Sequence, residues 1–193
     1  MFWMNTRKIR YELQKQLILD KSLELFSRKG FSQTSIVDIA KESNISKGLL
    51  YHYFSSKDQL FEEILVSSFN SIFKYFNVSD DDIIKSGEFE NFILEVFKSL
   101  EQNYLNWKLI FQLFTQPEMS ERAILLLNKS EPVIKFRNTI SAFFEMKNKI
   151  NPEIRTTYFV SMILGIAVTY LQNPARYPLR QIAEIIIEEF IKN

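Results

Sequence analysis

Apolar residues recur at three- and four-residue spacings along almost the whole chain, and no segment alternates apolar with polar residues between turn signals. That pattern calls for helices and leaves no basis for a sheet. Leu13, Leu17, Ile18, Leu25 and Phe26 set the phase of a first helix over 11–29. Leu60, Ile64, Leu65, Ile72, Phe73 and Phe76 stripe a long fourth helix beginning at Ser56. The chain has only 4 Gly and 5 Pro in 193 residues, so each helix breaker marks a place where the chain can turn.

Between those two helices lie two short ones. Gly30 stands where a left-handed residue ends a helix, and Phe31 can fold back on the last turn. Ser35 caps a helix to Glu42, with Asp38 in its first turn and Ile36, Ile39 and Ala40 facing inward. Asn44 tolerates a left-handed turn. Ser46 then caps a helix over Lys47 to Tyr53. Asp80-Asp81-Asp82 and Gly87 mark a break. Helices are expected near 88–105, 106–115 and 119–129, then from Ser130-Glu131-Pro132 to about 147, from Pro152 to Pro174, and over 179–191. The expected fold is all-α. A first domain is expected over 8–62, with two short helices and their turn at about 35–54. A second helical domain covers 63–193, and the fourth helix is shared between the two.

Composition removes several kinds of function. Hydrophobic residues make up 46% of the chain and Phe alone counts 18, enough to bury a core rather than remain disordered. There is no Cys, so neither a disulfide scaffold nor a cysteine zinc site can form. His52 is the only His, which excludes a histidine metal cluster. Ser71-x-x-Lys74 lacks the companion motifs of acyl enzymes, and Asp80 to Asp82 read as a solvated loop. No nucleophile–base pair stands out, so no enzyme, metal or cofactor is expected. Met1-Phe2-Trp3-Met4 is followed at once by Arg7, Lys8 and Arg10, unlike a secretory leader. The apolar run Tyr158–Leu171 falls short of the roughly 20 residues of a membrane span, so a buried helix in a cytoplasmic protein is expected.

The charge is uneven. Residues 1–60 hold ten Lys/Arg against six Asp/Glu, while the whole chain is only +1. Two short helices joined by a tight turn on this basic third make a helix-turn-helix arrangement. Ser46 and Lys47 suit a phosphate at the start of the second short helix. Gly48 lets a backbone come close, and Leu49 can touch a thymine methyl. Tyr51 and His52 offer a hydroxyl and an imidazole. Of Tyr51 and Tyr53, one is expected to pack inside and Tyr51 to face DNA. Lys57, Thr34 and Ser35 complete the candidate DNA-binding set.

The runs Thr34-Ser35-Ile36-Val37-Asp38-Ile39-Ala40, Ile45-Ser46-Lys47-Gly48-Leu49-Leu50-Tyr51-His52-Tyr53-Phe54 and Ser56-Lys57-Asp58-Gln59-Leu60-Phe61 resemble the TetR family of bacterial transcriptional regulators. Leu23-Glu24-Leu25-Phe26 and Gly30-Phe31 resemble the end of that family's first helix. The likeness covers about residues 10 to 62. Asn44 departs from the Gly common at that position, and Lys21 and Ser22 replace small apolar residues. The resemblance implies a three-helix DNA-binding domain on a ligand-binding and dimerisation domain. It further implies a homodimer on a palindromic double-stranded operator, released by a small molecule. A family member that answers to a protein partner, or organises DNA, is the rival reading.

In the remaining two thirds, Phe69, Phe73, Tyr104, Trp107, Phe111, Phe114, Tyr158 and Met162 are candidates to line an apolar pocket for a small apolar or aromatic effector. Asn103, Gln112 and Gln116 are candidate polar contacts. A dimer interface is expected on the last two helices, through Tyr158, Met162, Gly165, Thr169, Ile182, Ile186 and Phe190.

Overall fold

The structure, a computed structural model, describes residues 2–73, 86–114, 117–147 and 151–192, except the side chains of 2–5, 86–87, 114, 117–120, 122 and 191–192. Its described residues form helices and turns only. In order these are α1 (Phe2–Lys29), α2 (Ile36–Glu42), α3 (Lys47–Tyr53), α4 (Lys57–Phe73), α5 (Ser86–Gln102), α6 (Tyr104–Phe114), α7 (Pro117–Lys129), α8 (Glu131–Met146), α9 (Pro152–Gln172) and α10 (Leu179–Ile187). A π-helical turn, Glu188–Lys192, follows α10. The acidic break at 80–82, Lys74 and Gln116 lie outside the described residues.

The helix ends follow from the residues that make them. Gly30 has φ 84° and donates its N–H to the Phe26 carbonyl at 2.8 Å, closing α1 with a left-handed residue. Asn44 has φ 53° and turns the chain between α2 and α3. Ser35 and Asp38 form a reciprocal capping box on α2, and the Ser46 hydroxyl accepts from the Leu49 N–H on α3. Pro117 and Pro152 open their helices rather than interrupting them, because a first-turn N–H has no internal acceptor to lose. Helix α1 is longer than expected and begins at Phe2.

Two packing regions follow. In the first, Ile18, Leu25 and Phe26 of α1 bury against Ile39 and Ala40 of α2, Leu50 of α3, Phe54, and Leu60, Phe61 and Ile64 of α4. Phe26, Phe31 and Phe61 form a ring cluster with centroids 4.6–5.7 Å apart. Ser22, polar but buried, donates to the Ile18 carbonyl at 2.6 Å. In the second, α8 packs on α9, and α10 packs on α5. Phe89 stacks on Phe143 at 3.8 Å, and Phe159 contacts Phe190 edge-on at 5.3 Å.

The regions are joined twice. Helix α4 runs from α1 into contact with α6, α7 and α8. Helix α6 also lies along α1, where Gln112 donates to the Ser27 carbonyl at 2.9 Å and Ser27 donates to the Leu105 carbonyl at 3.0 Å. Gln112 is thus an inter-helix tie.

Helix α9 corrects the burial expectation. Beginning at Pro152, it reaches 21 residues and is long and apolar enough to cross a membrane by length and composition alone. It buries one stripe, Thr156, Phe159, Ile163, Ala167 and Tyr170. Ile154, Tyr158, Ser161, Gly165, Val168 and Thr169 on its other sides are exposed.

Candidate nucleic-acid interface and bundle cavity

Helix α3 is held from behind and open in front. Leu50 and Phe54 are fully buried and fix it against α1 and α4. Ser46, Lys47, Gly48, Leu49, Tyr51 and His52 are all exposed. Leu49 is 41% and Tyr51 46% exposed, large values for residues whose neighbour Leu50 is wholly inside. Lys47 Nζ lies 5.9 Å from the centroid of the Tyr51 ring, so a cation and a hydroxyl share one face. Tyr53 takes the packing role, stacking on Tyr11 of α1 at 4.7 Å, with His52 at 6.4 Å from the same ring.

Gly48 is informative because nothing inside the chain requires it. A Cβ there would meet only the Ser46 hydroxyl, at 4.0 Å. Its φ is not positive, and glycine inside a helix costs about 1 kcal/mol relative to alanine. The space in front of Gly48 is open for a body that approaches from outside.

Two candidate residues turn inward, and their roles are corrected. Thr34 is 1% exposed, and its hydroxyl donates to the Gly30 carbonyl at 2.8 Å. It braces the α1–α2 turn and presents no free hydroxyl to a phosphate. Lys57 donates to the Phe31 and Thr34 carbonyls at 2.7 and 2.8 Å and lies 4.0 Å from the Phe31 ring centroid. Burial pushes this ammonium below the usual lysine range, with Asp58 opposing. Lys57 ties the head of α4 to the same turn. Ser35 is exposed, but its hydroxyl and N–H both bond the Asp38 carboxylate, at 2.7 and 2.9 Å. Those bonds hold Asp38 below the usual carboxylate range.

Arg7, Lys8 and Arg10 were not among the candidates, yet they are exposed one turn before Tyr11 and form no ion pair with a described residue. The Tyr11–Tyr53 stack puts this part of α1 beside α3. The charge run was visible in the sequence, but its place relative to α3 required the fold. Lys15 sets that placement too, pairing with Glu63 of α4 at 2.6 Å and lying 5.6 Å from the Phe54 ring. The bond to Glu63 raises the Lys15 ammonium above its usual range, against the opposing effect of burial.

The bundle encloses a cavity of about 250 Å³. Phe69 and Phe73 of α4 and Trp107 of α6 line it. Val96, Ile110, Phe136 and Ile163 complete its buried wall, and Ile124, Asn128, Val133 and Arg137 border it from α7 and α8. Other expected liners are elsewhere. Tyr104 donates its hydroxyl to the Leu171 carbonyl at 3.3 Å, and Phe111 borders a separate shallow cleft. Met162 packs half-buried against the core. Tyr158 faces outward and stacks on Phe190 at 6.1 Å. The Phe114 side chain lies outside the described residues. Asn103 is buried at the α5–α6 junction, away from the cavity lining.

The expected dimer surface divides. Tyr158, Gly165 and Thr169 lie on the exposed side of α9, and a Cβ on Gly165 would meet nothing within 4 Å. Met162 and Ile182 are half-buried. Ile186 and Phe190 are buried in the chain's own core, which withdraws them from any interface. The regular stripe on α10 is the one its own core takes, while Ile185, 62% exposed, faces out.

The fold and site define a class: a helix-turn-helix domain on a helical bundle with an internal cavity. Residues 18–64 match the family model of the bacterial regulatory proteins of the tetR family. The chain is 29% identical over 104 residues to IcaR of Staphylococcus epidermidis, the HTH-type negative transcriptional regulator of the biofilm operon icaADBC. That match covers 54% of this chain and 55% of IcaR, so the chain spans about half the length of the curated relatives it matches. In fold it is similar to a tetR family transcription regulator from Shewanella sp. PV-4, with a TM-score of 0.71 at 18% identity, covering 93% of this chain and 96% of that one. FadR from Bacillus subtilis in complex with stearoyl-CoA is also similar, with a TM-score of 0.69 at 15% identity, covering 91% of this chain and 97% of FadR. At these identities the structural likeness speaks for the fold.

Proposed function

We propose that the chain is a sequence-specific DNA-binding transcription regulator of the cytoplasm, a repressor that acts on a palindromic operator as a homodimer. The observation that carries this reading is α3. Its Gly48 is open to the outside without any internal need for glycine, and Lys47, Leu49, Tyr51 and His52 around it are exposed. Lys47 neutralises phosphate, Leu49 and Tyr51 reach base edges, and the bare Gly48 allows the duplex backbone close. Arg7, Lys8 and Arg10 extend the cationic surface along α1 to flanking phosphates.

The outward face of α9, with Ile185 of α10, serves as the homodimer surface. It combines exposed apolar residues with Gly165, which permits close helix approach. The cavity serves as the effector site for a small, mainly apolar molecule, which favours a ligand-released repressor over a member without a small effector. That a protein of this fold holds stearoyl-CoA supports an internal ligand site here. Helix α4 carries cavity residues at one end and Lys57 at the other, so a ligand that displaces α4 moves the turn behind α2 and α3.

The test is fluorescence anisotropy of labelled DNA from upstream of the protein's own gene, titrated across salt concentrations beside random DNA. The proposal expects tight, salt-sensitive binding to the upstream DNA, well above the random control. Equal binding to both DNAs contradicts sequence specificity.

A further inference from the structure

The cavity has a floor and a mouth of different chemistry. Trp107, Val96, Phe69 and Ile163 are buried and make its inner end wholly apolar. Asn128 on α7 and Arg137 on α8 are exposed and border it at the surface. Among the fourteen described lining residues these two are the polar ones, and Arg137 is the one with a charge. Arg137 forms no ion pair with a described residue, and no carboxylate shares the lining. A guanidinium offers a planar fork of N–H donors that matches a carboxylate in two parallel hydrogen bonds. The adjacent Asn128 amide supplies a further donor.

We infer that the effector is an amphipathic organic anion, with its apolar body in the cavity and a carboxylate at the mouth on Arg137 and Asn128. This rests on the reading of the cavity as the effector site and adds the charge and orientation of its occupant. About 250 Å³ is roughly eight times the share of one water in the liquid, which limits the body to a single ring or a medium-length chain. The ligand enters apolar end first, because burying a carboxylate against Trp107 and Ile163 would cost far more than leaving it half-solvated beside a guanidinium. Arg137 is therefore the specificity-determining residue of the site. The apolar lining alone would favour a neutral body over a charged one of the same shape.

The experiment compares three probes with one body: decanoate, 1-decanol and decylammonium. The protein is the full chain with Trp3→Phe, so fluorescence reports Trp107 alone. Decanoate is expected to bind at least tenfold tighter than decanol, with decylammonium weakest. Arg137→Gln should bring decanoate to the level of decanol or below and leave decanol binding unchanged. Arg137 is exposed, so this substitution does not threaten the fold. If decanol binds the parent protein as tightly as decanoate, or the preference survives Arg137→Gln, the inference is overturned while the cavity remains an effector site. If none of the three binds, the effector-site reading falls and takes the inference with it.

Discussion

The two packing regions of this chain are specified by different means. Around α2 and α3, short polar bonds do much of the work. The Ser35–Asp38 box, the Ser46 cap, Thr34 on the Gly30 carbonyl and Lys57 on two carbonyls lock segments of seven residues that packing alone would hold poorly. The bundle around Phe89, Phe143 and Phe159 relies instead on ring packing, and it leaves a cavity and an outward apolar face. A surface that must present fixed side chains to a rigid partner needs the first arrangement. A region that must adapt to a ligand and to a second copy is served by the second.

The contrast can be broken most severely in the bundle. Phe143→Ala removes one member of the 3.8 Å stack and should cost about 3–5 kcal/mol in chemical denaturation. A loss below about 1 kcal/mol would mean that the ring cluster is not what holds the bundle. Ile185→Glu places a charge on the outward face of α10 without touching the core. Sedimentation should show the dimer replaced by monomer with its helix content intact, and a variant that stayed dimeric would move the interface elsewhere.

Effects at α3 should be smaller in stability and specific to DNA. Lys47→Ala should weaken binding to all sequences alike and lower the slope of log affinity against log salt by about 0.9, as expected for one phosphate contact fewer. An unchanged slope would remove Lys47 from the phosphate-contacting set. The smallest effect concerns the cap of α2. Asp38 is held below the ordinary carboxylate range by Ser35, so its contribution is complete above the unfolded value and is lost as pH falls through the lower folded one. Thermal melts of the parent and Asp38→Asn should therefore differ near neutrality and converge as pH drops below about 4. A difference that stayed constant down to pH 2 would assign the effect to something other than the carboxylate charge.

Local chemistry was readable in advance, and long-range geometry was not. Gly30, Ser35, Asn44 and Ser46 announce their turns and caps because each acts within four residues of itself. Thr34 and Lys57 misled because a hydroxyl and an ammonium look available until the carbonyls they bond, in Lys57's case more than twenty residues away, are in place. Arg137 was missed for a related reason. Its partner is a cavity built from six helices, and no spacing in the sequence encodes that space. On α10 the periodicity was sound, but its stripe faces the chain's own core, and Ile185 is the isoleucine of this helix that stands out into solvent, with Ile182 and Ile187 half-buried.

The most direct test of α3 as the DNA-reading helix is Gly48→Ala, measured for melting temperature and for operator affinity on the same preparation. A methyl group at this position meets open space and improves helix propensity. The account predicts a protein more stable by up to about 1 kcal/mol that binds the operator at least tenfold more weakly. A variant that gained stability and kept its full affinity would contradict the close approach of DNA to this helix.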